Sequence, residues 1–227
     1  MTETDCAPQP KNTLGGTIVE NFFDPDSWIM SKLSDLGDLI IANILWIITS
    51  LPIITLGAST AALYSTVRTP GEHRYSASVF RNYFHAFVKN LKQGTLTLLL
   101  LVIPGAVIVV NLFLLLGGWL DDSVVRYVIC AVPVIVFLFA GGYVFPLMAC
   151  FENSLRKTLT NALVLSIAHL PTTLLVTAIN LLPVAIFLFF TNFFYQFVMV
   201  WILFGFSAIA KINMLLLERV FARYQTE

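Results

Sequence analysis

Long apolar runs dominate the chain and alternate with short polar segments. Each run is close to or longer than the roughly 18 residues that an apolar helix needs to cross a bilayer. The pattern therefore predicts an all-α, polytopic membrane protein with about five transmembrane helices. The predicted spans are residues 39–64, 94–120, 127–151, 172–190 and 194–217.

Helix-breaking residues interrupt the first of these runs. Pro52 removes a helical hydrogen bond, and Gly57 follows it within the same run. We therefore expect the first span to be broken or bent. The short polar links at 121–126 and 191–193 predict that spans two and three, and spans four and five, form helical hairpins.

Polar sequence flanks the apolar region at both ends. Residues 1–36 are interpreted as a polar N-terminal tail, residues 37–220 as the transmembrane domain, and residues 221–227 as a C-terminal tail. The tail does not begin with a basic stretch followed by an apolar one, so no cleavable signal peptide is expected.

Two segments between the spans have the periodicity of amphipathic helices. The apolar stripe of residues 79–92 consists of Phe80, Phe84, Phe87 and Leu91. That of residues 152–170 consists of Leu155, Leu159, Leu163, Ile167 and Leu170. Helices of this kind lie on a membrane surface or dock on a partner. We predict two cytoplasmic amphipathic helices whose basic side chains form a candidate partner surface: Arg81, His85, Lys89, Lys92, Arg156 and Lys157.

Composition supports the membrane interpretation. The chain is 58% hydrophobic and only 11% charged, and its mean hydropathy is +0.84. A soluble domain carries about a quarter charged residues and could not bury this much apolar surface. The formal net charge is zero, so charge indicates no nucleic-acid partner, and the predicted partner is the lipid bilayer.

The distribution of basic residues predicts the orientation. Loops rich in Lys and Arg stay in the cytoplasm. One predicted face carries only Lys11, Lys32 and Arg126. The other carries Arg68, Arg74, Arg81, Lys89, Lys92, Arg156, Lys157, Arg219 and Arg223. The N-terminus is therefore expected outside and the C-terminus inside.

Residue types that carry chemistry are sparse. The three histidines, His73, His85 and His169, have no metal-ligand spacing, and the three cysteines have none either. No predicted span contains an interior Asp, Glu or His, which argues against a proton relay. We find no phosphate-binding loop and no nucleophile motif. We therefore expect no enzyme activity, no metal and no cofactor.

Lys211 is the charged residue that falls inside a predicted span, and charges there are usually functional. Its stem could reach the headgroups, or its ammonium could pair with Glu218, or it could contact a substrate or partner. Neutral polar residues such as Asn43 and Asn180 also lie in the spans. They either bond and pack neighbouring helices or line a path for a polar solute, and all three residues are candidate functional residues. The small residues at 57–62 favour a packing seam.

The first third of the chain resembles the opening of the YesL-like family of bacterial membrane proteins. The resemblance rests on the segments 22–26, 36–39, 43–46, 50–58 and 60–64, including Asn43-Ile-Leu-Trp46 and Ser50-Leu-Pro-Ile-Ile-Thr-Leu-Gly-Ala58. It continues more weakly through Phe80, Phe84, Phe87, Asn90, Lys92 and Gln93, and through Leu155, Asn161, Ala162, Leu170, Pro171 and Thr173.

The resemblance implies a protein of the bacterial cytoplasmic membrane with no defined biochemical activity. Members of this family tend to be encoded beside carbohydrate ABC importers. This implies a non-enzymatic accessory or regulatory role in carbohydrate uptake, with permease or ATPase subunits as partners. The alternative is an autonomous facilitator of a small neutral solute such as a sugar. A facilitator needs a continuous polar path, whereas an accessory subunit needs a free face for its partner.

Overall fold

The computed structural model describes residues 28–68, 76–117, 124–189 and 195–224, and helices account for the regular structure in these ranges. They are α1 (Trp28–Ser50), a 3-10 turn (Ile53–Thr55), α2 (Leu56–Arg68), α3 (Ser76–Leu116), α4 (Val124–Cys150), α5 (Leu155–Ala168) and α6 (Leu170–Phe189). The last segment consists of α7 (Val198–Val200), a π-helical stretch (Trp201–Gly205) and α8 (Phe206–Phe221).

Five helical segments of the described chain are long and apolar enough to cross a membrane. They are Lys32–Ser50, Ser78–Asn111, Ala131–Cys150, Leu170–Phe189 and Val198–Phe221. The prediction of an all-α polytopic membrane protein is therefore confirmed. The chain divides after Gly37 into two compact units, and the contacts below lie in the second unit, residues 38–227.

The bounds of several segments differ from the sequence-based ones. Helix α1 begins at Trp28, inside the stretch interpreted as a polar tail, and α8 continues to Phe221. Residues 1–27 and the predicted link 191–193 lie outside the described residues.

The predicted break in the first span is a complete interruption. Pro52 has an extended backbone (φ −74°, ψ 109°) and ends the helical path of α1. Beyond it, the indole Nε1 of Trp46 donates to Oγ1 of Thr60 at 3.3 Å. Fourteen residues of continuous helix would cover about 21 Å. Helix α2 therefore turns back and packs against α1.

The first amphipathic segment does not form a helix of its own. It is the N-terminal part of α3, which has 41 residues and so a length of about 60 Å, twice the roughly 30 Å of a hydrocarbon core. Its buried residues are Val79, Tyr83, Ala86 and Asn90, whereas Phe80 of the predicted stripe is 53% exposed. The small residues of α2 fit against this buried face. The stripe that packs is therefore the one beside the predicted apolar stripe.

The second amphipathic segment does form a separate helix, α5. Its buried residues are Thr158, Ala162, Leu165 and Ser166. The predicted stripe is divided, since Ile167 is 66% exposed whereas Leu159 is partly buried and packs against the core. In both segments the packed side of the helix mixes small, polar and larger residues, among them Tyr83 and Leu165, and several large apolar side chains of the predicted stripes are left for lipid or a partner.

The small-residue seam of α2 lies at the centre of the bundle. Ala58, Ser59, Ala61 and Ala62 are all 0% exposed. Gly57 meets Gly94 of α3 so closely that a Cβ on Gly57 would lie 2.2 Å from the Gly94 oxygen. The prediction of a packing seam is confirmed, because neither helix has room for a side chain at this crossing.

Candidate functional site

The basic part of α3 is joined to the start of α5. Lys89 forms an ion pair with Glu152, which lies just before α5. Gln93 donates from Nε2 to the backbone oxygen of Asn153 at 3.0 Å. The contacts bring the two predicted basic segments together at this point. The six side chains are all exposed, and we call them the basic surface: Arg81, His85, Lys89, Lys92, Arg156 and Lys157.

The link between Lys89 and Glu152 depends on the charge of the carboxyl. The Lys89 ammonium lowers the pKa of the Glu152 carboxyl through a hydrogen bond and charge attraction. Because the pKa is lower in the folded state, the contribution of this contact is complete above the ordinary Glu pKa. It is lost as the pH falls through the lowered value, so the link is intact at neutral pH.

A cavity of about 320 Å³ lies close to the basic surface. It is bounded by the end of α4, by α5 and by the end of α8, and sequence reasoning gave no sign of it. Its lining is mixed apolar, aromatic and polar: Leu147, Phe151, Asn153, Asn161, Val164, Leu165, Phe221 and Tyr224. Asn153 belongs both to this lining and to the contact with Gln93, so the cavity adjoins the junction of α3 and α5.

Asn43 is held in a structural contact with the π-helical stretch. Its Nδ2 donates to the oxygens of Trp201 at 3.2 Å and Ile202 at 2.6 Å. Its Oδ1 accepts from the backbone N–H of Ser207 at 2.9 Å. Ile202 and Ser207 are five residues apart, the spacing of a π-helical hydrogen bond. The Asn43 amide therefore bonds two backbone groups at the positions that a π-helical hydrogen bond would join.

Trp46 fixes the same junction from the next turn of α1. Its ring lies against Phe206 with centroids 4.5 Å apart, in addition to its hydrogen bond with Thr60. Gly205 lies beneath the ring of Trp201, where a side chain does not fit. A Cβ on Gly205 would come within 2.3 Å of the Trp201 side chain. The Asn-Ile-Leu-Trp segment thus joins α1 to α2 and to the last helix.

Lys211 has a role that was not among those weighed from the sequence. Its Nζ donates to the backbone oxygen of Val67 at 2.8 Å. Val67 lies in the last turn of α2, where carbonyl groups have no helical partner and the helix dipole is negative. The ammonium therefore caps the C-terminal end of α2.

We expect Lys211→Met to lower the free energy of unfolding by about 1 to 2 kcal/mol, because a charge-assisted hydrogen bond to a helix end is lost. Thermal unfolding of the purified protein in detergent measures this loss. Lys211→Arg keeps a cationic donor and should retain most of the stability. Recovery on adding Glu218→Gln would instead indicate the ion pair with Glu218.

Asn180 is half-buried and belongs to a polar cluster with two buried residues that sequence reasoning missed. Asn213 donates from Nδ2 to Oδ1 of Asn180 at 2.7 Å and to the hydroxyl oxygen of Tyr64 at 3.2 Å. A signal was available, since Asn213 follows Lys211 by two residues in an otherwise apolar stretch. Among the described residues, no group of three metal-binding side chains lies together.

The long apolar helices define a multi-pass helical membrane protein. The sequence model of a family described as a protein of unknown function, DUF624, matches residues 39–112. The uncharacterized protein YesL of Bacillus subtilis (strain 168) is 26% identical over 139 residues, which are 60% of this chain and 65% of that protein, just under two thirds of its length. The chain is thus similar to this family and to YesL, and the resemblance seen in its first third is confirmed. No solved structure matches the chain.

Proposed function

We propose that the protein is a non-enzymatic accessory or regulatory subunit of carbohydrate ABC uptake, which presents its basic surface to a permease or ATPase subunit. The observation that carries the proposal is the junction of α3 and α5, where Lys89 and Glu152 hold two basic segments together. The YesL-like resemblance supplies the carbohydrate importer as the partner class.

The chemistry of this face favours a protein partner with acidic and apolar side chains. Exposed apolar residues lie among the cations, and Val88 (69% exposed) and Ile167 (66% exposed) are the most accessible of them. Cations orient the approaching partner and raise its association rate, and apolar side chains contribute binding free energy. The adjoining cavity offers a recess for a side chain of the partner.

Several polar side chains inside the spans support this role over that of a facilitator. Asn43 is committed to the π-helical stretch. Tyr143 bonds Thr173 at 2.9 Å, and Thr97 bonds the backbone of its own helix at 2.8 Å. These groups are used in packing, whereas a solute path needs polar groups that are free to contact the solute.

Co-purification tests the accessory role. Affinity purification of the intact protein from its native membrane should recover ABC permease and ATPase subunits. Replacing Arg81, Lys92, Arg156 and Lys157 with Gln should reduce this recovery at least tenfold, and raised salt should weaken it in the unmodified protein. Lys89 is kept because it holds the junction.

The matched control replaces Arg219 and Arg223, two exposed cations at the end of α8, with Gln. It should leave the recovery unchanged. Absence of ABC subunits from the unmodified sample, or equal loss in the control, would contradict the proposal. Sugar uptake by liposomes containing only this protein would support the facilitator instead.

The proposal requires the basic surface to face the cytoplasm of a bacterial cell, with the N-terminus outside. A membrane-impermeant thiol reagent applied to intact cells should then label the protein, and the label should be lost in Cys6→Ser. Labelling of Cys6 only after the inner membrane has been opened would overturn the orientation.

A further inference from the structure

Three helices contribute polar side chains to one point of the buried core. Asn213 of α8 bonds Asn180 of α6 and Tyr64 of α2 through its Nδ2. Asn213 is 0% exposed. Thr177 lies three residues before Asn180, which places it on the same face of α6 one turn away.

Two atoms of this cluster are buried without a hydrogen-bond partner in the protein. They are Oδ1 of Asn213 and Oγ1 of Thr177. Rotating the Asn213 amide by 180° exchanges its two polar atoms but still leaves one of them in the same unpartnered place. A buried polar group of this kind is costly to the fold and rare in folded proteins. In a bilayer no lipid tail satisfies it.

We propose that Tyr64, Thr177, Asn180 and Asn213 form a binding site for one neutral hydroxyl group, supplied by a water molecule or by a polar solute. The Asn213 oxygen accepts a hydrogen from the ligand. The Tyr64 oxygen already accepts from Asn213, so its own hydrogen is available for donation, and the Thr177 hydroxyl donates or accepts.

The charge around the site favours a neutral ligand. None of the four side chains is charged, so an ion would lose its hydration without a counter-charge. The site draws on side chains of α2, α6 and α8. It is independent of the proposed accessory role.

A structure in lipid nanodiscs at a resolution that shows ordered water tests the site. We expect a density peak about 2.6 to 3.2 Å from Oδ1 of Asn213. The peak should disappear in Thr177→Val, a change of nearly equal volume, or in Asn213→Leu. It should remain in Asn111→Leu, because Asn111 bonds Val107 of its own helix. Absence of the peak from the unmodified protein would overturn the proposal.

Melting temperatures distinguish the two sources of the hydroxyl group. A panel of neutral polyols and monosaccharides should raise the melting temperature of the unmodified protein and of Asn111→Leu, but not of Thr177→Val, if a solute occupies the site. A density peak without any such rise identifies bound water. An equal rise in Thr177→Val would exclude this site as the place where the solute binds.

Discussion

Replacing Asn43 with leucine should lower the free energy of unfolding by roughly 2 to 4 kcal/mol. The leucine removes an amide that donates to the Ile202 oxygen and accepts from the Ser207 N–H. The buried Ser207 N–H and the Ile202 oxygen then each lose this hydrogen-bond partner. Unfolding of the purified protein in detergent, followed by its melting temperature, measures the loss.

A second asparagine provides the control for this prediction. Asn111→Leu also exchanges an amide for an apolar side chain within a span, but Asn111 bonds only the Val107 oxygen of its own helix, at 2.8 Å. We expect its unfolding free energy to change by less than about 0.5 kcal/mol, as is usual for positions away from buried networks. Equal effects of Asn43→Leu and Asn111→Leu would refute the role of Asn43 in holding the π-helical stretch.

The second large effect is expected at the crossing of α2 and α3. Gly94→Ala should destabilise the protein by about 3 kcal/mol, near the upper end of the usual cost of overpacking. A Cβ on Gly94 would lie 2.6 Å from the backbone nitrogen and 2.7 Å from Cα of Ala58. Because the obstacle is backbone, the two helices must separate to admit the methyl group. The melting temperature and the yield of folded protein measure this loss of stability.

Gly141→Ala is the matched control in α4. A Cβ at Gly141 meets nothing within 4 Å. This change should leave stability unchanged or raise it by up to about 1 kcal/mol, since alanine is the better helix former. An equal change in stability for Gly94→Ala and Gly141→Ala would contradict the close contact of α2 and α3 at Gly94.

The sequence predicts the number of membrane-spanning segments because each span is defined by its own composition. It does not predict which stripe of an amphipathic helix is buried. In α3 the large side chains Phe80 and Leu91 are exposed, while Tyr83 and Asn90 are buried. Hydrophobicity does not separate inside from outside when lipid is the solvent, so the buried face depends on the fit between neighbouring helices, as where the small residues of α2 meet α3.

The candidate residues could also be predicted only in part from the sequence. Asn43 and Lys211 stand out in the sequence because polar groups are rare in the spans, and both are bonded to backbone groups far along the chain. Their partners could not be predicted, because Ile202 and Val67 take part through carbonyl oxygens that every residue carries. The role of the basic surface in binding a partner stays a prediction.

The length of α3 gives the molecule a mechanical property. Residues 76–103 form a helix without an internal proline, and Pro104 is the one proline inside α3. A proline removes a hydrogen bond and allows bending at that point. The stretch between the N-terminal end and Pro104 is therefore about 40 Å of uninterrupted helix. It is fixed against α2 at Gly94 and linked to α5 through Lys89, so its cationic end and the inside of the bundle belong to one stiff element.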